Sequence, residues 1–475
     1  MRFAKSIETG QLSEVENDLF NYVIANPKDA RGFALLAKMR LIQNRLNEAK
    51  ALSNKALMLD PKLLSAKLTL AATDSQLGEI EQSRAALDGI FAGEISDDSI
   101  RLNIAQIYAQ IGDCAKALTI AEKLSAKIKS SDAMPFRAVC YLETGDRKLF
   151  AALFPTAKLL AKQNPAIAFK FALVLSKAAL HTETADLLRL VVISAPRDTG
   201  ALILLAKSEI YLKDFTNAKI HLAQAERIQP SSGDLLLVRS YFEGEQGNTA
   251  RSLELLERSL AENPNNVEAL TQFVVMAMRA NQAGKAVRAA EILMKLQPEN
   301  SEILYLYGAA SLQNNNLQTA ETSLTKFLEA RPNDSRGCVA LGLTFAAQVN
   351  KLAEARSQMQ HCLEIDPYNY EATYQLGLSY KTQGETPKAI EYLEQTVELA
   401  PNNASALRDL GAVYLQSGAE EKARIVLEKA VVLSTNDADT HFQLSRLYNL
   451  LGEHELAKKH LQIFQKLKNP KKDGM

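Results

Sequence analysis

Tryptophan is absent from this 475-residue chain, and aromatic residues make up only 6% of it although 47% of the residues are hydrophobic. A core drawn from that composition must be built mainly of Ala, Leu, Ile and Val, a mixture suited to closely packed helices. Excess charge is missing too, because 55 Lys plus Arg balance 55 Asp plus Glu. That balance removes the basic footprint of a nucleic-acid binder and any long-range attraction to an anionic membrane. No stretch approaches the roughly 18 consecutive apolar residues that cross a bilayer, so no direct membrane insertion is expected. The opening residues, Met1 to Glu8, lack the apolar centre of a secretory leader. As written, the chain is expected in the cytoplasm, with a periplasmic or envelope-associated place if sequence is missing upstream of Met1.

Reactive groups are equally sparse. The four cysteines, Cys114, Cys140, Cys338 and Cys362, contain no C-x-x-C pair and are too few for a disulfide framework in so long a chain, so they read as buried, reduced thiols. Of six histidines (His181, His221, His361, His441, His454, His460), only the run His454 to His460 resembles a metalloprotease motif. Its histidines are six apart rather than four, which sends them to different helix faces, and they read as solvated surface groups. No Walker loop, G-x-G-x-x-G turn or G-x-S-x-G elbow occurs. No catalytic, cofactor-binding or metal-binding residue is therefore assigned, no cofactor is expected, and the chain is not expected to be an enzyme.

What the sequence does contain is a period. Pro196, Pro230, Pro264, Pro298 and Pro332 are each 34 residues apart, Pro367 follows after 35 and Pro401 after 34, and Pro27 and Pro61 keep the 34-residue step. With each proline set at position 32 of a unit, other positions recur for physical reasons. Position 8 is small (Ala37, Ala71, Ala105, Gly308, Gly342, Gly377, Gly411), and so is position 20 (Ala49, Ser83, Ala117, Ala320, Ala389, Ala423), which lets two helices approach closely. Position 15 is Gly or Asn (Asn44, Gly78, Gly112, Gly247, Asn281, Asn315, Gly384, Gly418, Gly452), residues that tolerate the left-handed backbone ending a helix. Position 34 supplies the next N-cap: Asp29, Asp198, Ser232, Asn266, Asn300, Asp334, Asn369, Asn403 and Asp437. Apolar stripes such as Leu407, Leu410, Tyr414 and Ala423, Leu427, Ala430 follow helical spacing, and neither helix buries its stripe without stacked neighbours.

The set Leu410, Gly411, Tyr414, Ala423, Leu427 and Ala430, followed by the proline slot, resembles the tetratricopeptide-repeat signature, and the likeness runs from about residue 10 to 471. It departs from that signature in having no Trp at position 4, where Leu, Phe33, Cys338 or His441 stands. The resemblance implies an all-α fold, a right-handed α-solenoid superhelix of stacked antiparallel helix pairs, with about 13 full units and an N-terminal half repeat. Units are placed near residues 30, 64, 98, 132, 168, 199, 233, 267, 301, 335, 370, 404 and 438. An N-terminal array of residues 1–131, whose first repeat is truncated, is expected to pass through irregular repeats at 132–198 into a regular array at 199–471 and a polar tail at 472–475. The irregular stretch, where Pro135 and Pro155 are out of phase and the unit ending at Pro196 is three residues short, reads as a hinge. The cut first repeat suggests a C-terminal portion or a misassigned start.

For function, the resemblance implies a concave groove lined by first-helix positions 2, 5, 9 and 12. In the later repeats these positions hold Tyr305, Arg336, Tyr374, Arg408, Phe442 and Arg446, a mixture of aromatic and guanidinium groups found at interface hot spots. The Lys/Asn clamp of some family members is not recognisable, although Asn103 occupies one of its slots. The expected function is a non-catalytic scaffold or adaptor binding a protein or peptide segment, with no nucleic acid. The alternative is a regulatory or substrate-binding solenoid of a larger enzyme, such as a glycosyltransferase, or of an envelope export system. Cys338 and Cys362 belong to one unit and are close enough to bridge in an oxidising compartment.

Overall fold

A computed structural model describes residues 12–91 and 95–468. The opening residues Met1 to Glu8 and the polar tail at 472–475 lie outside the described residues. Among the described residues the fold is all-α, a tandem series of helix hairpins with no strand. Contacts divide it into two compact units, one up to Val238 and one from Arg239 onward.

One repeat shows how the residues dictate the geometry. Asn403 has extended backbone and its side chain accepts from the Ala406 N–H, opening the 13-residue helix Ala404–Gln416. Gly418, at φ 73°, turns the chain, and the 14-residue helix Glu420–Leu433 runs back. Gly411 faces Leu427 so closely that a Cβ there would lie 2.5 Å from Leu427 Cγ. Gly308 and Leu324, Gly342 and Met359, and Gly377 and Leu393 repeat this contact, so the small residue at position 8 makes room for the large one at position 24. Where Ser replaces Ala at position 20, its hydroxyl bonds across to the position-8 carbonyl, Ser83 to Ala71 and Ser252 to Ser240.

Positive φ marks the hairpin turns at Asn44, Gly78, Gly112, Gly145, Ala179, Lys213, Gly247, Asn281, Asn315, Gly384, Gly418 and Gly452. Gly145, Ala179 and Lys213 carry the turn series through the stretch read as irregular, with one 33-residue step between Gly112 and Gly145. The helix expected near 168 begins at Pro165, so the unit ending before Thr199 is full length rather than three residues short. The irregularity lies instead in two divided second helices, Cys114–Glu122 with Ala126–Ser130 and Arg147–Ala151 with Phe154–Gln163. Pro135 and Pro155 stand in the first turns of Met134–Glu143 and Phe154–Gln163, where a missing N–H costs nothing. They begin helices instead of ending them.

The reading of the cysteines as reduced thiols is corrected. Cys114 is bonded to Cys140 and Cys338 to Cys362. The first bridge joins the second helix of one repeat to the first helix of the next, with Cα atoms 5.1 Å apart; the second joins the two helices of one repeat, at 5.6 Å. Antiparallel neighbours bring residues some 25 positions apart into bonding range, a geometry that a count of cysteines cannot reveal.

Candidate functional site

In the unit ending at Val238, successive first helices build one open trough. Ala34, Leu35 and Lys38 of Ala30–Ile42, Leu68, Ala72 and Gln76 of Leu64–Gln76, and Asn103, Gln106 and Gln110 of Asp98–Gln110 enclose a hollow of about 430 Å³. Gln106 and Gln110 are shared with a second hollow of about 540 Å³, which continues over Pro135, Val139, Ile167 and Lys170 on the next two first helices. The lining is amide and aliphatic, with Lys38, Asp132 and Lys170 as its charged members. Asn103, noted in the sequence for its slot, lies here on an exposed surface, whereas the three glutamines around it were not anticipated.

In the unit from Arg239 onward, the six residues expected to line the groove separate into different environments. Tyr305 and Arg336 come together: the guanidinium stands 4.8 Å from the ring centroid and pairs with Glu302 and Asp334 at 2.9 and 2.8 Å. Both border a hollow of about 440 Å³ that also takes in Tyr368 and Tyr370. Tyr374 and Arg408 instead converge on the buried carboxylate of Asp409, at 2.7 and 3.0 Å, and Lys381 joins them at 2.7 Å. Burial alone would raise the Asp409 pKa, but the bonds from Lys381 and Tyr374 and the nearby charges hold it below the usual carboxylate range. Phe442 packs on Phe464 of the last helix, centroids 5.2 Å apart, and Arg446 lies exposed one turn further along.

A second series of contacts ties repeats together. Tyr108, Tyr414 and Tyr448, all at position 11, donate to Asp88, Glu394 and Glu428 on the preceding second helix, each twenty residues back. Burial, reinforced by the bond to the carboxylate, pushes the Tyr448 hydroxyl up to about 12.

The expectation that His460 is a solvated surface group is also corrected. Its Nδ1 lies 2.8 Å from Nδ1 of the buried His441, whose Nε2 meets the Thr435 carbonyl at 3.0 Å. Donation from His441 Nε2 leaves its Nδ1 as the acceptor, so the pair fits two neutral rings. Desolvation, then repulsion from His441 and Lys459, lowers the His460 pKa. Among the described residues no group of three or more His, Cys, Asp or Glu side chains could hold a metal ion, and no helix is long and apolar enough to cross a membrane.

These features define a tandem array of helix hairpins with open hollows along its first helices. The tetratricopeptide-repeat family model matches residues 276–335 and 374–438, which identifies those stretches as tetratricopeptide repeats. Cellulose synthase operon protein C of Pseudomonas fluorescens is 25% identical over 335 residues, a match covering 63% of this chain and 26% of that protein. A TPR repeat-containing protein of Pseudomonas aeruginosa is 25% identical over 150 residues, covering 31% of this chain and 25% of that one. The matched region thus spans about a quarter of the length of these curated relatives. The crystal structure of the APC/C hetero-tetramer Cut9–Hcn1 aligns over 94% of this chain and 95% of that one, with 14% identity and a TM-score of 0.49.

Proposed function

We propose that this chain is a non-catalytic scaffold that receives an extended segment of a partner protein along the trough formed by residues 34–174. The observation that carries this reading is the trough itself. Five successive first helices line it with mainly aliphatic residues and few charges, and two of them, Leu64–Gln76 and Asp98–Gln110, present amides that both donate and accept, which suits a peptide backbone bound without strong charge selection. In the later repeats, Tyr305, Arg336, Phe442 and Arg446 add a second contact surface, while Tyr374 and Arg408 serve mainly to hold adjacent repeats together.

The two disulfides favour work in an oxidising compartment over the reducing cytosol. Together with the likeness to a cellulose synthase operon protein, they support a second reading, an accessory array of an envelope polysaccharide export system.

Placing a photo-crosslinking amino acid at Asn103 or at Gln110 tests the scaffold reading, with Met58, 79% exposed on the second helix Leu46–Leu59, as the comparison site. Discrete protein adducts from both trough positions, absent from Met58, are expected. Adducts from Met58 but from neither trough position would reject it.

A further inference from the structure

We infer that the hollow bounded by Tyr305, Tyr368 and Tyr370 is a docking site for a proline-rich segment carrying basic residues. This site is distinct from the residues of the trough; it rests on the scaffold reading in naming what part of the second contact surface, around Tyr305 and Arg336, would hold.

The floor is built by a close approach. Gly337 lacks a side chain where a Cβ would lie 2.3 Å from the Phe327 ring, so Phe327 seats against the helix backbone and supports Tyr305 at 5.4 Å between centroids. Arg336 covers another part of the Tyr305 ring. Above this floor Tyr368 is 79% exposed in the turn after Pro367, and Tyr370 is 45% exposed at the start of the helix Tyr370–Thr382. Tyr368 is the only aromatic residue directly after any of the nine periodic prolines; elsewhere that place holds Lys, Arg, Ser, Asn or Glu.

The polar groups at the rim are largely occupied by their own turn. Asp366 accepts from the Tyr368 N–H, Asn369 caps the next helix through the Ala372 N–H, Glu371 accepts from Gln375, and Arg336 is held by Asp334 and Glu302. What remains is ring faces, phenolic hydroxyls and the single aliphatic hydroxyl of Ser335, over aliphatic Val339 and Leu343. A saccharide, which needs several convergent hydrogen-bonding groups, fits this inventory poorly. A polyproline II segment fits it well: its rings lie flat on aromatic faces, its carbonyls point outward to accept from hydroxyls, and little conformational entropy is lost on binding.

Charge supplies the second part of the assignment. Asp366 and Glu371 meet no cation within 4.0 Å among the described residues, whereas Glu302 and Asp334 are neutralised by Arg331 and Arg336. The rim therefore favours a positive residue next to the prolines.

The test is calorimetry on the intact chain with an acetylated, amidated peptide of repeating Pro-Pro-Arg. The comparisons are the same peptide with glycine for proline, and a β-linked glucose pentasaccharide. Saturable binding of the proline peptide is expected, weaker at high salt, and reduced about tenfold or more by Tyr368→Ala with Tyr370→Ala. Both rings are exposed, and circular dichroism of the variant checks that its helices persist. Equal binding of the glycine peptide, unchanged binding by the variant, preference for the saccharide, or no heat with the proline peptide would each overturn the assignment. Crosslinking at Asn103 and Gln110 reads the scaffold proposal separately, so failure of one leaves the other standing.

Discussion

Replacing glycine by alanine at two helical positions should move stability in opposite directions. In an otherwise unobstructed helix the change stabilises by about 0.5–1 kcal/mol, because glycine loses more backbone freedom on folding. Gly89, exposed in the helix Ile80–Phe91, has nothing within 4 Å of the added methyl, so Gly89→Ala should gain that full amount. At Gly411 the same methyl would stand 2.5 and 2.6 Å from Cγ and Cδ2 of Leu427, and 3.2 Å from its Cδ1. Leu427 is fully buried and its branch point, not a free end, is the obstacle. The cost should approach the upper end of core overpacking, about 3 kcal/mol, and exceed the helix gain by about 2 kcal/mol. Because a repeat array opens locally, native-state hydrogen exchange is the suitable assay. Gly411→Ala should raise opening rates in Ala404–Gln416 and Glu420–Leu433 first, while distant repeats stay as they were. Adding Leu427→Ala tests the cause, since the new methyl would then occupy vacated space and the two changes should cost less together than the sum of their separate costs. A neutral or stabilising Gly411→Ala, an even loss along the chain, or strict additivity with Leu427→Ala would refute the reasoning.

Tyr448 should impart an alkaline dependence. Its hydroxyl titrates near 10 in the unfolded chain and is pushed up to about 12 on folding, so its contribution is whole below about pH 10 and disappears between about 10 and 12. Urea unfolding of Tyr448→Phe should be flatter over that window, and identical slopes would argue against the burial of this group. At the other end, folding holds His460 neutral by lowering its pKa, so its contribution is present above about pH 6.5 and is lost as pH falls below that value. The packing of His454–Lys468 on Ala438–Leu450 should therefore loosen in acid, read by hydrogen exchange corrected for intrinsic rates, and His460→Gln should suppress the effect. Each disulfide closes a loop with a sequence separation of 26 or 24, worth about 3.5 kcal/mol in the chain-entropy account. Alkylation of protein unfolded without reductant should leave all four cysteines unlabelled, and labelling of any of them would show the matching bridge to be absent.

The fold was legible because what defines it recurs. Asp29, Asn266, Asn403 and Asp437 cap helices where their position in the period places them, and Asn44, Gly112 and Gly418 turn with positive φ. Ala179 and Lys213 are harder to find, since Ala and Lys are poor left-handed residues that only tertiary packing holds there. The site was less legible for a related reason. Position 5 carries both Tyr305, which borders an open hollow, and Tyr374, which is bonded to Asp409, and the two are distinguished by what the neighbouring repeat offers. Periodicity says which face a side chain occupies but not what meets it there. The aromatic after Pro367 was nevertheless available as a signal, because it breaks a series that is otherwise polar.

Departures from the period therefore carry information that the period itself lacks, and several of them gather in one repeat. The unit beginning at Ser335 is the one spanned by the 35-residue proline step, from Pro332 to Pro367. Its helices are joined through the short helical turn Val349–Lys351, and no positive φ falls between Asn315 and Gly384. The same unit holds the Cys338–Cys362 bridge, Gly337, against which the Phe327 ring of the preceding unit is seated, and at its end the exposed Tyr368. Stacking requires that a repeat keep its close-packed positions, and this one keeps the contact between Gly342 and Met359. An inserted residue would ordinarily loosen the hairpin, and a bridge between its two helices offsets that loosening. If the bridge serves to keep the tyrosine hollow in shape, replacing Cys338 and Cys362 by Ser, which leaves Cys114–Cys140 in place, should weaken binding of the proline peptide while leaving crosslinking from Asn103 unchanged. Loss of both together would mean that this bridge supports the array as a whole, and persistence of both would mean that packing alone maintains the hollow.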